Sequence, residues 1–160
     1  MVKGGRHMSF NALVVVGDGE GKVGASLGKA SAVPDAVRKG TASARREMKS
    51  VVLAGTTLPH DIQAKFGGAK VLLRPAAPGT GIIAGGGVRA IMEVVGVKDV
   101  LSKTFGSSNT LNVVRATILA LSLLRDPKLA VARRMGTDIP VGAPQPDPVA
   151  VAVASAAVEG

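Results

Sequence analysis

The sequence predicts an α+β protein in which a small unit of a β-hairpin and one helix precedes a larger β-α-β-α unit. Two observations predict this fold class. Short valine-rich segments bounded by glycine alternate with longer segments of helical periodicity, and strands that alternate with helices normally form a sheet covered by helices. The chain has 160 residues and is 46% hydrophobic, so it can bury the core that such a fold requires.

The first unit is predicted to contain two strands, a glycine turn and an amphipathic helix. The strands are residues 8–16 and 22–28, and Asp18-Gly19-Glu20-Gly21 between them has the composition of a hairpin turn. Pro34 suits the first turn of a helix, which we expect over 34–49. The helix carries an apolar stripe that is predicted to cover the hairpin, and its members are Val33, Val37, Gly40, Ala44 and Met48.

The second unit is predicted to alternate strands with helices. After a short strand and connector at 50–61, we expect a strand at 70–74, a helix at 84–95, a strand at 98–105 and a buried helix at 110–124. The predicted domains are therefore 1–53 and 54–125. A short basic helix should occupy 126–137, and the Pro/Ala-rich tail at 138–160 should be disordered because it cannot build a core.

The charge of the chain points to a polyanionic partner. There are 20 basic and 11 acidic residues, a net charge of +9, which favours nucleic acid first and an anionic membrane second. Residues 1–74 hold 12 basic and 5 acidic side chains, so the first half carries most of the excess. Because Trp and Tyr are absent, recognition of backbone charge and shape is favoured over base stacking.

Composition also argues against several other classes of protein. The chain has no cysteine and only two histidines, so neither a disulfide nor a thiolate or histidine-rich metal site is expected. The apolar stretch VAVAVASAAV in the tail is about half the length that a bilayer requires. We therefore predict no metal, no cofactor and no membrane association.

Two segments match the glycine pattern G-x-G-x-x-G/A of dinucleotide-binding loops. A strand rather than a helix follows the first match, at Gly19, Gly21 and Gly24, which favours a hairpin turn. The second, Gly79-Thr80-Gly81-Ile82-Ile83-Ala84, lies between a predicted strand and helix. A tight turn, a partner-contact loop and a phosphate site stay open there. No acid–base pair is visible, and no catalytic residue is predicted.

The candidate binding residues form two groups. In the first unit, glycine next to a cation lets the backbone approach phosphates closely. The candidate RNA-binding residues are Lys3, Gly4, Gly5, Arg6, Lys22, Lys29, Arg38, Lys39, Arg45, Arg46 and Lys49. In the second unit, a glycine run without side chains suits close backbone packing, and a single arginine can anchor a specific contact. The candidate protein-interface residues are Gly79, Gly81, Gly85, Gly86 and Arg89.

Two long segments resemble the bacterial small ribosomal subunit protein S5 (uS5) family. They are GGRHMSFNALVVVGDGEGKVGASLGKASAVPDAV and PGTGIIAGGGVRAIMEVVGVKDVLSKTFGSSNTLNVVRAT, and the resemblance covers about residues 1–135. It implies a first domain similar to double-stranded-RNA-binding domains and a second domain similar to part of some small-molecule kinases. The family has a strand before VKGGR, so we expect that first strand to be missing from the 1–53 domain.

The resemblance implies a cytoplasmic, structural component of the 30S ribosomal subunit. Its implied partners are 16S rRNA and the neighbouring proteins uS4 and uS8, close to where mRNA enters the ribosome. The Lys3–Arg6 loop would point to the decoding neck, and the segment with Gly81 and Arg89 would face uS4, where translational accuracy is influenced. Two alternatives from the residues stay open: a small nucleotide-binding enzyme that uses the loop at 79–84, and a double-stranded-RNA-binding protein that acts off the ribosome.

Overall fold

The computed structural model describes residues 3–136, which form four layers. Helix α1 (Val33–Arg46) covers one face of an antiparallel sheet of β1 (Phe10–Gly17), β2 (Lys22–Ala30) and β3 (Lys49–Ser50). The second sheet has the strand order β4 (Ile62–Phe66), β5 (Ala69–Pro75), β7 (Val100–Gly106) and β6 (Ile82–Ile83). Helices α2 (Gly86–Val95) and α3 (Thr110–Ser122) lie between the two sheets, and α4 (Pro127–Met135) follows.

The predicted α+β class is confirmed, but the strand content of the second unit was underestimated. The prediction missed β4, whose outward Gln63 and Lys65 make the segment resemble a polar connector. It also missed β6, a two-residue strand that pairs with β7 in parallel. The second unit is therefore β-β-β-α-β-α rather than β-α-β-α.

Several predicted boundaries also shift. The first helix ends at Arg46 rather than near 49, because Lys49 belongs to β3 and pairs there with Val23 of β2. The predicted short basic helix is present as α4. The tail at 138–160 lies outside the described residues.

The predicted apolar stripe of α1 is wrong at its two valines. Val33 and Val37 are 52% and 43% exposed, whereas Ala36, Gly40 and Ala44 are buried. The reason is the close approach of α1 to β2: a Cβ on Gly28 would collide with the carbonyl oxygen of Ala36. Because backbone lies against backbone, only the smallest residues fit this interface, and the helix turns its valines outwards.

The two sheets share one hydrophobic core. Val23 of β2 is fully buried in the same cluster as residues of the second sheet and of the two helices between the sheets. The bulkiest members of the cluster are Leu58, Leu73, Ile91, Met92 and Leu121. Since burial of such side chains is worth about 1.5–3 kcal/mol each, the two units stabilise one another.

Backbone hydrogen bonds join the β1–β2 turn to the end of α2. The Gly19 and Gly21 amides donate to the carbonyl oxygens of Val94 and Val95 at 2.9 and 3.0 Å. Helix ends leave their last carbonyls without intrahelical partners, so the turn acts as a cap supplied by another part of the chain. We call this contact the turn–helix joint. Gly21 is buried at this joint, whereas Asp18, Gly19 and Glu20 remain exposed.

Asp18 closes the turn that makes this joint. Its Oδ1 atom accepts hydrogen bonds from the backbone amides of Glu20 and Lys22 at 2.8 and 3.0 Å. These two bonds lower the pKa of the Asp18 carboxyl below its ordinary value of 3.8, and the bond from Glu20 has the larger effect. The charged form of the side chain therefore supports the turn.

The close packing of α1 on β2 predicts a large cost for a single added methyl group. Gly28→Ala should lower the free energy of unfolding by about 1–3 kcal/mol, because overpacking against backbone forces a shift. Gly86→Ala is the matched control, since a Cβ there meets no atom within 4 Å, and it should change the value by less than about 1 kcal/mol. Urea unfolding measures both, and equal stabilities for the two variants would contradict the interface described.

Candidate nucleic-acid interface

Helix α1 presents four cations on the side away from its sheet. Arg38 and Arg45 are seven residues apart, as are Lys39 and Arg46, so the helical period places them in two adjacent rows. All four side chains are exposed, and the first row lies nearly opposite the buried Gly40. We call these four residues the basic sector. Arg45 and Arg46 also lie in the last helical turn, where the helix dipole favours positive charge.

No acidic side chain of residues 3–136 forms an ion pair with the basic sector. Elsewhere in the described residues, exposed ion pairs join Arg74 to Asp61 and Arg89 to Glu93. Four like charges on one rigid helix create a positive surface potential that attracts polyanions. This arrangement can bind successive phosphates without a rearrangement of the fold.

The other RNA-binding candidates lie around the edges of the first sheet. Lys29 pairs with Asn11, close to the segment that follows the exposed Lys3–Arg6 loop. Lys22 and Lys49 lie at the opposite end of β2, beside the turn–helix joint. The structure therefore groups the candidates into the basic sector and two ends of the sheet rather than into one patch.

The Lys3–Arg6 loop has a backbone that only glycine adopts readily. Gly4 and Gly5 have φ angles of 106° and 86°, in the left-handed region that side chains disfavour. A Cβ on either residue would meet no atom within 4 Å, so this backbone is open to a close approach. A phosphate could contact the loop without displacing another part of residues 3–136.

The first glycine match is a hairpin turn, as predicted. Residues 17–22 connect the antiparallel strands β1 and β2, and the Gly19 and Gly21 amides are used by the turn–helix joint. Gly24 faces α1, where a Cβ would collide with the carbonyl oxygen of Ala44. None of the three glycines offers an amide cradle to a nucleotide.

The second glycine match is anchored from inside the protein by Asp99. The Oδ1 atom of this buried carboxylate accepts hydrogen bonds from the amides of Gly79 and Gly81, both at 3.0 Å. The bond from Gly81, helped by the Thr56 hydroxyl and the Gly79 amide, lowers the pKa of Asp99 below 3.8 despite partial desolvation. The amides that could bind a phosphate are already occupied by an anion, which disfavours the nucleotide-binding alternative.

The protein-interface candidates are all exposed or half-buried. A Cβ on Gly79, Gly81, Gly85 or Gly86 would meet no atom within 4 Å. The Arg89 Nε atom lies 3.3 Å from Glu93 Oε1, with both side chains more than half exposed. Such surface pairs contribute little, so the guanidinium can exchange this contact for one with a partner.

The remaining polar residues have local roles. His60 joins the connector to the end of α3: its Nε2 accepts a hydrogen bond from the Arg125 amide at 3.0 Å, and its Nδ1 lies 2.8 Å from the Asp61 carbonyl oxygen. Within residues 3–136, no three His, Asp or Glu side chains converge as a metal site. Nor does any helix of that range have the length and apolar character to cross a membrane.

Comparison with known proteins accounts for most of the chain. The family models for the N-terminal and C-terminal domains of ribosomal protein S5 match residues 1–52 and 64–135. The chain belongs to the ribosomal protein S5 family. The small ribosomal subunit protein uS5 of Dehalococcoides mccartyi (strain CBDB1) is 55% identical over 134 residues, which are 84% of this chain and 78% of the relative.

Other members of the S5 family give the same result. The uS5 protein of Syntrophobacter fumaroxidans is 54% identical over 139 residues, 87% of this chain and 83% of the relative. The uS5 protein of Lawsonia intracellularis is 57% identical over 129 residues, 81% and 79% of the two chains. The resemblance noted in the sequence is therefore confirmed. As an S5 family member, the chain is a structural protein of the small ribosomal subunit and not an enzyme.

Sequence reasoning did not recognise Asp99 as part of the glycine loop. Asp99 directly precedes β7 and is 18 residues from Gly81 in the chain, so the glycine pattern does not include it. The parallel pairing of β6 with β7 brings it back beside Gly81. A buried aspartate preceding a strand, after a loop with two glycines of positive φ, is the signal that could have identified the contact.

The lowered pKa values of Asp18 and Asp99 predict a steep loss of stability in acid. A carboxyl with a lowered pKa stabilises the fold fully above its ordinary value of 3.8, and this contribution is lost as the pH falls through the lowered value. Asp18→Asn/Asp99→Asn keeps an accepting oxygen but removes both charges. The double variant should be less stable at pH 7 and should lose less of its remaining stability between pH 7 and about pH 2. Parallel stability curves for the two proteins would contradict this account.

Proposed function

We propose that residues 1–53 bind 16S rRNA and that this contact braces the RNA within the small subunit in the bacterial cytoplasm. The basic sector carries the proposal, because its four cations are exposed and have no acidic partner within the described residues. Phosphate contacts supply most of the sequence-independent affinity of proteins for nucleic acids. Membership of the S5 family supports RNA as the polyanion.

The structure supports a rigid rather than an adaptable contact. The small residues Ala36, Gly40 and Ala44 fix α1 against β2 at backbone distance, so the basic sector is held in place before RNA arrives. Pre-organisation reduces the entropy that is lost on binding. The Lys3–Arg6 loop adds exposed amides and two cations at one end of the sheet, in reach of a second stretch of backbone.

A second part of the proposal concerns protein neighbours. The surface from Gly79 to Arg89 is proposed to contact uS4, and the remainder of the second half to reach uS8 near the path of the mRNA. Its support is the open space around the glycines and the weakly paired Arg89. Close backbone packing there, with one arginine as an anchor, suits a protein partner. Through this contact the chain would influence translational accuracy.

Salt dependence tests the RNA contact. Arg38→Gln/Arg45→Gln/Arg46→Gln should lower the slope of log K against log salt for a 16S rRNA fragment by about 3, since each phosphate contact contributes roughly 0.9. Thermal stability should hardly change because the side chains are exposed. The control Lys98→Gln/Arg125→Gln/Lys128→Gln removes the same charge from exposed positions of the second half. An equal slope change in both variants, or a wild-type protein that does not sediment with small subunits, would contradict the proposal.

Arg89 and Gly86 test the protein contact. Arg89→Ala and Gly86→Ala should both leave rRNA affinity and thermal stability close to wild type, because neither site supports the core. Both should weaken pull-down of uS4 by about tenfold and alter misreading in reconstituted subunits, since loss of an interface anchor costs roughly 1–2 kcal/mol. Normal uS4 association in both variants would reject the interface, and a loss confined to rRNA affinity would reassign Arg89 to RNA binding.

A further inference from the structure

The second sheet leaves one of its faces uncovered by the described residues. Helices α2 and α3 pack on the inner face. Alternate residues of β4, β5, β7 and β6 point outwards, and the exposed members of this outer face are Gln63, Lys65, Lys70, Arg74, Ile83, Leu101, Lys103 and Phe105. The face is the outermost layer on the side opposite α1.

Strand register arranges these residues in rows across the sheet. Lys65 is opposite Lys70, and Lys70 is opposite Phe105. Lys103 lies in the next row and is the diagonal neighbour of Lys70, roughly 7–8 Å away by the geometry of antiparallel strands. We call Lys65, Lys70, Lys103 and Phe105 the lysine–phenylalanine corner.

Within the described residues, the positive charge of this corner does not stabilise the fold. Like charges directly opposite each other destabilise a strand pair, and Lys65 faces Lys70 across a hairpin. No carboxylate of residues 3–136 forms an ion pair with the three lysines, whereas Arg74 at the other end of the same face pairs with Asp61 at 3.3 Å. A repulsive cluster that folding does not require indicates an anionic partner.

Phe105 distinguishes the kind of partner. It is one of three phenylalanines in a chain without Trp or Tyr, and it is 44% exposed beside Lys70. A flat aromatic ring that is flanked by cations on an open sheet supplies both requirements of single-stranded RNA binding, namely a stacking surface for a base and charges for the phosphates. An acidic protein would satisfy the lysines but would not need the ring.

We propose that the lysine–phenylalanine corner binds an unpaired stretch of RNA, with phosphates against the three lysines and a base stacked on Phe105. The inference rests on the proposed function in that the ligand is RNA, but it adds a surface that shares no residue with the basic sector. The two surfaces lie on opposite outer layers of the fold. One rigid molecule could therefore hold two separate segments of RNA at a fixed distance.

Binding of unstructured decauridylate to the full chain tests the corner directly. Lys65→Gln/Lys70→Gln/Lys103→Gln should lower the slope of log K against log salt by about 2, at roughly 0.7 per phosphate contact to a single strand. Phe105→Leu should weaken binding about tenfold at every salt concentration without a change of slope, because stacking is lost while charge is kept. The control Lys98→Gln/Arg125→Gln/Lys128→Gln should change the slope by less than half as much as the corner variant. Equal slope changes, or an unchanged affinity of Phe105→Leu, would overturn the proposal.

A second measurement separates this proposal from the proposed function. Phe105→p-benzoylphenylalanine in reconstituted subunits should crosslink to RNA on irradiation, and crosslinks to protein alone would overturn the proposal. In parallel, Arg38→Gln/Arg45→Gln/Arg46→Gln should weaken 16S rRNA binding yet retain the crosslink at position 105. If only the basic sector affects RNA binding, the proposed function stands and the corner is rejected. If only the corner affects RNA binding, the corner proposal stands and the proposed function is rejected.

Discussion

The turn–helix joint is the contact on which the arrangement of this molecule depends. Two amides of the β1–β2 turn cap the end of α2 by bonding to the carbonyl oxygens of Val94 and Val95, and Asp18 holds the turn in the shape that the joint requires. Because the bonds join backbone to backbone, side-chain rotamers cannot loosen them. The joint and the shared core make the two units one body. The outer surfaces of the two units therefore have a fixed position relative to each other.

This construction explains why a structural ribosomal protein uses so many glycines at its contacts. Gly28 lets α1 approach β2 to backbone distance, and the same approach turns the basic sector outwards. At the other sheet, Asp99 ties Gly79 and Gly81 into a fixed loop. That loop has the sequence of a phosphate-binding element, but the protein fills it with its own carboxylate. Both halves therefore present surfaces that are rigid before a partner arrives.

The sequence was sufficient for the fold class, the main helices and the hairpin, because periodicity and turn residues are local signals. It was insufficient where contacts with a distant part of the chain determine the structure. The close approach of α1 to Gly28, rather than the hydrophobicity of Val33 and Val37, determines which face of α1 is buried. The role of Asp99 depends on the pairing of β6 with β7, and the lysine–phenylalanine corner depends on a register that joins β4, β5 and β7. In the sequence those residues are separated and inconspicuous.

Native-state hydrogen exchange of the Gly19 and Gly21 amides tests the unity of the two halves most directly. Amides that are bonded only within their own turn would exchange within the range of local fluctuations, whereas amides that are hydrogen-bonded to α2 exchange only when the two units separate. The account predicts that both amides exchange with the free energy of global unfolding, together with the slowest amides of β2 and α2. Rapid exchange of Gly19 and Gly21, or separate unfolding free energies for the two sheets, would contradict it.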